Sequence, residues 1–245
     1  MMWLWRWRQI SWSPHPFAPF ATSPSGVMGE YIKHVPSMQD IPTSLSGIYI
    51  VGSSSSGKTT LCKALAIRLH LPSNQHVSEV ARTVMRNTNF TRDHVDRLDM
   101  QRAILNAQIA TENGLRVRNL ETATHFCANN SFLLCDRSAI DPLVYASLST
   151  TEATGAEILA ECDELYGILP IYRRAIFVLL HPIAEWIEDD GVRSLADPSS
   201  YPQTYKHYMD RFGIKYYEID GSMKDLESRV NAVLEWVRVV HPESI

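Results

Sequence analysis

Gly47-Ile48-Tyr49-Ile50-Val51-Gly52-Ser53-Ser54-Ser55-Ser56-Gly57-Lys58-Thr59-Thr60 is the stretch that decides the fold. Residues 47–51 read as a short buried β-strand. Residues 60–69 read as a helix with Leu61, Leu65 and Leu69 on one face. Between them, Gly52 to Thr59 fits the phosphate-binding pattern G-x-x-x-x-G-K-[ST]. Glycines and small serines let the backbone curl closely around an anion. Successive N–H groups then point inward, and the helix N-terminus adds its positive end. In such a loop Lys58 reaches the β- and γ-phosphates, and Thr59 offers its hydroxyl to Mg2+. The expected nucleotide-binding residues are Gly52, Ser53, Ser54, Ser55, Ser56, Gly57, Lys58, Thr59 and Thr60.

Outward from this loop, the chain has 245 residues and is 45% hydrophobic, enough for a sizeable α/β core. Its formal net charge of −4 argues against a general nucleic-acid binder. No apolar run reaches the length of a transmembrane helix. Cys62, Cys127, Cys135 and Cys162 show no C-x-x-C spacing, and read as reduced thiols rather than a zinc site or a disulfide framework. A cytoplasmic protein is expected.

The amino-terminal region differs in kind. Met1 to Gly29 carry no acidic residue, and hold Trp3, Trp5, Trp7 and Trp12 with Arg6 and Arg8, then a Pro/Ser-rich run. This composition supplies no periodic core face. Three readings fit: a disordered extension, a mitochondrial transit peptide within 1–27, or an interfacial membrane anchor. The first is preferred. The expected division is an extension over 1–43 and a single domain over 44–245.

From Ser44 onward strands and helices alternate, as in a mostly parallel sheet covered by helices on both faces. Strands are expected at 47–51, 75–79, 131–135, 175–180 and 215–219. Helices are expected after Glu79 through Arg82 and Met85, from Thr91 as N-cap past Glu112, from Asp141-Pro142 through Leu148, and over 155–168, 201–211 and 223–239.

In open parallel sheets ligands bind beyond the carboxyl ends of the strands. Asp136 follows the apolar run Phe132-Leu133-Leu134-Cys135, where a carboxylate can hold Mg2+ beside Thr59. Arg137 can bridge a phosphate or a carboxylate, or form a surface ion pair. Glu79 and Arg82 are spaced for one helical face. Glu79 either accepts a proton from an attacking hydroxyl or pairs with Arg82 without chemistry. Asp189-Asp190-Gly191-Val192-Arg193 suits a lid whose arginine stabilises a transferring phosphoryl group, or an ordinary solvated loop. Gln101 and Gln108 share a helix face; they either hydrogen-bond a base or acceptor or lie on the surface, and the surface reading is preferred. Arg173-Arg174 reads as a solvated helix end. No N-K-x-D, no D-x-x-G after the third strand and no L-S-G-G-Q is present. An ordinary small GTPase and an ABC-type transporter subunit are thereby set aside.

Gly52–Thr60, Ser78-Glu79-Val80-Ala81-Arg82, the block Cys135-Asp136-Arg137-Ser138-Ala139-Ile140-Asp141-Pro142 and Asp190-Gly191-Val192-Arg193 together resemble the NadR-like AAA-type ATPase/kinase family. The resemblance covers roughly residues 45–240. It implies an α/β P-loop NTPase fold, a five-stranded sheet sandwiched by helices as in nucleoside and nucleotide kinases. It implies ATP (or GTP) and Mg2+, with Lys58, Thr59, Asp136 and Arg193 in the matched roles and a small nucleoside-like hydroxyl acceptor. Lys58, Glu79, Asp136 and Arg193 are the expected catalytic residues, and Thr59 and Asp136 the expected metal ligands. The alternative is a nucleotide-binding regulatory or trafficking module with a membrane or protein partner.

Overall fold

The computed structural model describes residues 46–123, 132–149, 154–186 and 199–242. The extension over 1–43 and Cys127 lie outside the described residues. So does the Asp189–Arg193 segment, and with it the proposed lid.

Five strands form one sheet: β1 (Ser46–Gly52), β2 (His76–Val77), β3 (Phe132–Asp136), β4 (Ile176–Leu180) and β5 (Tyr216–Ile219). Their order is β2-β3-β1-β4-β5, and every pairing is parallel. Eight α-helices among the described residues cover it: α1 (Lys58–Arg68), α2 (Val80–Asn87), α3 (Leu98–Ala123), α4 (Asp141–Ser149), α5 (Gly155–Ala160), α6 (Asp163–Tyr172), α7 (Ser200–Arg211) and α8 (Leu226–Val240).

The strands are near-continuous apolar runs because both faces of the sheet are covered. Alternate residues feed two cores. Tyr49, Val51, Leu133, Cys135, Phe177 and Leu179 pack against the α2–α7 side. Ile48, Ile50, Leu134, Val178 and Leu180 pack against Leu61 and Leu65 of α1 and Val230, Val233 and Val237 of α8. Among the described residues no helix is long and apolar enough to cross a membrane.

Four expectations need correction. The second strand shrinks to His76–Val77, because Ser73–Gln75 coil into a 3-10 turn. Thr91 caps only a short 3-10 turn, Arg92–His94, through a reciprocal bond with His94; the long helix begins at Leu98. The closing helix starts at Leu226, capped by the Asp225 carboxylate, which accepts from the Ser228 N–H at 2.8 Å. The single helix expected over 155–168 is two, α5 and α6. At about 100° per residue, Leu159 and Ala160 would face away from Leu165, Ile168 and Leu169 on one straight helix. All five are buried in the same core, so the chain breaks at Glu161–Cys162 and turns the second segment inward.

The parallel sheet gathers the carboxyl ends of all five strands on one edge. The order reverses at β1, with β2 and β3 on one side and β4 and β5 on the other. A doubly wound sheet opens its ligand crevice at such a point. The groove lined by Asp210, Gly213 and Lys215 lies at the opposite, amino-terminal edge of β5.

Candidate phosphate-transfer site

β1 runs into the loop at Gly52, whose φ is +142°. A Cβ there would lie 2.4 Å from the Leu180 carbonyl oxygen, so the position admits only glycine. The loop closes at Gly57, φ +87°, directly before α1. No side chain caps that helix, so its first N–H groups stay available to an anion. Within the loop Ser56 Oγ donates to the Ser53 carbonyl at 3.0 Å.

Lys58 is buried and folds back into the loop. Its Nζ donates to the Ser53 carbonyl and to Ser56 Oγ. Burial, then the charge of Arg137, push its pKa down to about 7, against the opposing pull of Asp141, Asp136 and Glu79. Burial thus disfavours the charged form of Lys58, and an anion beside it would favour that form.

Thr59 sits across from β3. The register pairs Ile50 with Asp136, which places the carboxylate beneath the start of α1. Thr59 Oγ1 donates to Asp136 Oδ2 at 2.5 Å. Asp136 is only 2% exposed, yet its Oδ1 has no hydrogen-bond partner. An unpaired buried carboxylate oxygen is costly unless something electropositive meets it. A hydroxyl and a carboxylate, both hard oxygen donors beside a phosphate loop, fit Mg2+.

Beyond Asp136 the chain turns sharply, with Arg137 at φ +85°, a left-handed conformation rare for a side chain of its size. Of the two readings of Arg137, the turn makes the bridge to carboxylates and not the surface ion pair. Arg137 is largely buried, with Nε 3.1 Å from Glu79 Oε1 and Nη1 3.0 Å from Asp141 Oδ1. Its guanidinium also lies 5.5 Å from the centre of the Tyr145 ring. Glu79 pairs with Arg82 as well, at 2.5 Å. Burial pushes the Glu79 carboxyl up, but Arg137 and Arg82 outweigh it and hold the group below its ordinary value.

Asp141 is not the N-cap that its Pro142 neighbour suggests. It is the first residue of α4, and it closes the turn before it: Ser138 Oγ accepts the Ile140 N–H at 3.1 Å, while Asp141 Oδ2 accepts the Ser138 N–H at 2.9 Å. The other Asp141 oxygen takes Arg137 and the Tyr205 hydroxyl, 2.7 Å away. That hydroxyl also lies 3.2 Å from the Gly52 carbonyl oxygen. Asp141 and Tyr205 therefore tie the arginine turn to the phosphate loop.

The glutamines are buried rather than on the surface. Gln101 donates to the Val95 carbonyl at 2.6 Å. Gln108 bridges Glu112 Oε1 at 2.9 Å and the Arg137 carbonyl at 3.4 Å. Fully buried Glu112 also accepts from Tyr49 and Tyr172, at 2.8 and 2.9 Å, and pairs with buried Arg116. Tyr172 in turn accepts the Ala139 N–H at 2.9 Å, so the core braces the turn from below. Arg173 is exposed as expected, its Nε donating to the Phe212 carbonyl.

On the far side of the loop is a residue that motif reading passes over. Arg229 of α8 is 1% exposed and donates to the Ser56 carbonyl at 3.0 Å. Its guanidinium stacks 4.8 Å from the centre of the Trp186 ring. Its signal was a charged residue on the apolar stripe of α8, in line with Val233 and Val237.

A family description, the AAA domain, matches residues 47–226. No curated protein matches the sequence. Among solved structures, a NadR protein in complex with NR is 22% identical, with a TM-score of 0.60, over 80% of this chain and 50% of that one. A NadR protein in complex with NAD and AMP-PNP is 22% identical, with a TM-score of 0.55, over 78% of this chain and 49% of that one. A deoxyadenosine kinase from M. mycoides with bound dATP is more distant, at 13% identity and a TM-score of 0.48, over 78% of this chain and 99% of that one. The chain thus spans about half the length of the NadR structures it resembles. With a phosphate loop between β1 and α1, a parallel sheet of order 2-3-1-4-5 and a matched stretch covering most of its length, the chain belongs to the AAA-domain family and has the α/β P-loop NTPase fold of the NadR-like proteins.

Proposed function

We propose that this chain is a small-molecule kinase. It binds ATP, or GTP, on the 52–60 loop and passes the γ-phosphoryl group to a hydroxyl of a small nucleoside-like acceptor. The observation that carries the reading is Asp136: a buried carboxylate 2.5 Å from Thr59, with one oxygen left unpaired beside a phosphate loop. Thr59 and Asp136 would hold Mg2+, which neutralises charge on the β- and γ-phosphates when bound. Lys58 would swing from the Ser53 carbonyl to the phosphates.

Phosphoryl transfer has a loose transition state, so positioning and charge matter more than proton abstraction. Glu79 and Asp136 are the carboxylates available to orient the acceptor hydroxyl, and Arg137 holds Glu79 in place. Arg193 is assigned to closing the site on the sequence pattern alone. Residues 44–245 are taken as the catalytic unit, with 1–43 as an extension. One observation favours a second reading, a nucleotide-binding regulatory module. Glu79 is engaged by two arginines, and a carboxylate so engaged is a weak proton acceptor.

The deciding experiment follows ADP release from ATP and Mg2+ by the full chain, against a panel of nucleosides that includes nicotinamide riboside. Release that rises with one acceptor, and vanishes in Lys58→Ala while the melting temperature holds, supports the kinase. Slow ATP consumption indifferent to every acceptor moves the assignment to the regulatory module. Unchanged nucleotide binding in Lys58→Ala removes the phosphate-loop reading altogether.

A further inference from the structure

Arg229 lies 173 residues beyond the loop it touches, on a helix whose other inward residues are apolar. Two of its three nitrogens are satisfied by backbone carbonyls. Nε donates to Met223 at 2.6 Å and Nη1 to Ser56 at 3.0 Å. The third, Nη2, is buried without a partner. Among the described residues Arg229 makes no ion pair, and burial alone holds its guanidinium below the ordinary arginine value. The Trp186 indole lies over it, and a Cβ on Gly57 would come within 2.8 Å of that indole and 3.0 Å of Arg229 Nη1.

A buried cation without a counter-charge is expensive. A protein that only needed to join α8 to the loop has cheaper means, such as a methionine against Trp186. The charge makes sense if an anion arrives nearby. The contact with Ser56 says how the two would communicate. The Ser56–Gly57 peptide is trans, so its C=O and N–H point in opposite directions. Holding the carbonyl on the α8 side turns the Gly57 N–H away from α8.

We propose that Arg229 is a positioning residue for the phosphate chain: it fixes the Ser56–Gly57 peptide so that the Gly57 N–H meets the β-phosphate, and it contributes an otherwise unbalanced positive charge to the phosphate loop. The proposal rests on the phosphate-loop reading above and deepens it. Trp186 shields the guanidinium from water, so its field acts on the phosphates with little screening. A bound anion would balance that charge.

The test measures binding of ADP and AMP to the full chain, parent and variants, by titration calorimetry or by competition against a fluorescent ADP. Arg229→Met keeps most of the bulk under Trp186 and removes the charge and the donors. It should bind ADP about tenfold to a hundredfold more weakly, the scale of one charge-assisted hydrogen bond, while AMP, which lacks the β-phosphate, moves less than about twofold. Arg229→Lys, which keeps the charge and a donor, should lie within about threefold of the parent for ADP. A merely structural arginine would lower the melting temperature of Arg229→Met but leave the ADP-to-AMP ratio untouched. That result, or equal losses for both nucleotides, overturns the proposal. Where Arg229→Met does not melt cooperatively, Arg229→Gln replaces it: a loss for ADP in Gln but not in Lys supports the proposal, and parity of the two overturns it. A parent chain that binds neither ADP nor ATP refutes the phosphate-loop reading instead, and the two failures are distinct.

Discussion

Two buried arginines flank the phosphate loop and are held in opposite ways. Arg137, after β3, meets two carboxylates and an aromatic face. Arg229, on α8, meets two backbone carbonyls and an indole. The first has its charge balanced within the fold and serves as a strut between Glu79 and Asp141. The second keeps its charge open. Near an anion site, the arginine whose partners are already complete shapes the site, and the one whose partners are incomplete is suited to answering the ligand.

The sharpest way to break the contrast is Arg137→Met. It leaves Asp141 without a cation and Glu79 with Arg82 alone, and removing one partner of a buried ion pair costs about 3–5 kcal/mol. Urea unfolding of the nucleotide-free chain should show the loss. Adding Glu79→Gln to this variant should recover part of it, because a carboxylate that has lost one of its two cations goes as well. A cost under about 1 kcal/mol would mean that the turn does not depend on the arginine.

Next comes Asp136→Asn, which keeps the shape and removes the anion beside Thr59. Mg2+-dependent ADP release should fall by about 10–100-fold, the scale on which metal sites respond to such changes. Binding of metal-free ADP should stay within about threefold. Equal losses with and without Mg2+ would make Asp136 a structural partner of Thr59 only.

The smallest effect is expected for Glu79→Gln, and it should depend on pH. The Glu79 carboxyl sits below its ordinary value of 4.5, so its ion pairs add stability above that pH. They lose it as the pH falls through the lower, folded-state value. The variant should be about 1–2 kcal/mol less stable at neutral pH. The gap should close as the solution is taken well below pH 4.5. A gap that persists in acid would point to lost packing rather than lost charge.

The parts of the site that could be read in advance are those where backbone chemistry demands particular residues. Gly52 and Gly57 are required by a close carbonyl and a left-handed turn. Phe132–Cys135 had to be a two-sided buried strand, and Asp136 its polar end. The rest depends on what packs against what. In the sequence Arg137 reads as a bridge or as a surface ion pair until Glu79 and Asp141 arrive as its partners. Gln108 is buried only because Glu112 waits one turn further along α3 and the Arg137 carbonyl stands opposite. The break between α5 and α6 was present in the sequence as a shift of apolar phase, Leu159-Ala160 against Leu165-Ile168. Glu161, Cys162 and Asp163 carry no glycine or proline to announce it.

The central position of β1 has a consequence for synthesis. The strand that carries the phosphate loop is made early, but both its neighbours come later, one at residues 132–136 and the other at 176–180. Thr59 waits 77 residues for Asp136, and Ser56 waits 173 for Arg229. At ribosomal speeds of about 5–20 residues per second, that second wait is roughly 9–35 s. The edges of β1 stay unpaired until residues 132–136 and 176–180 have been made, and Ser56 lacks Arg229 for the whole wait. Nucleotide cannot meet a complete cradle until α8 has docked, so capture of ADP by a nascent chain would report the closing step of folding rather than its beginning.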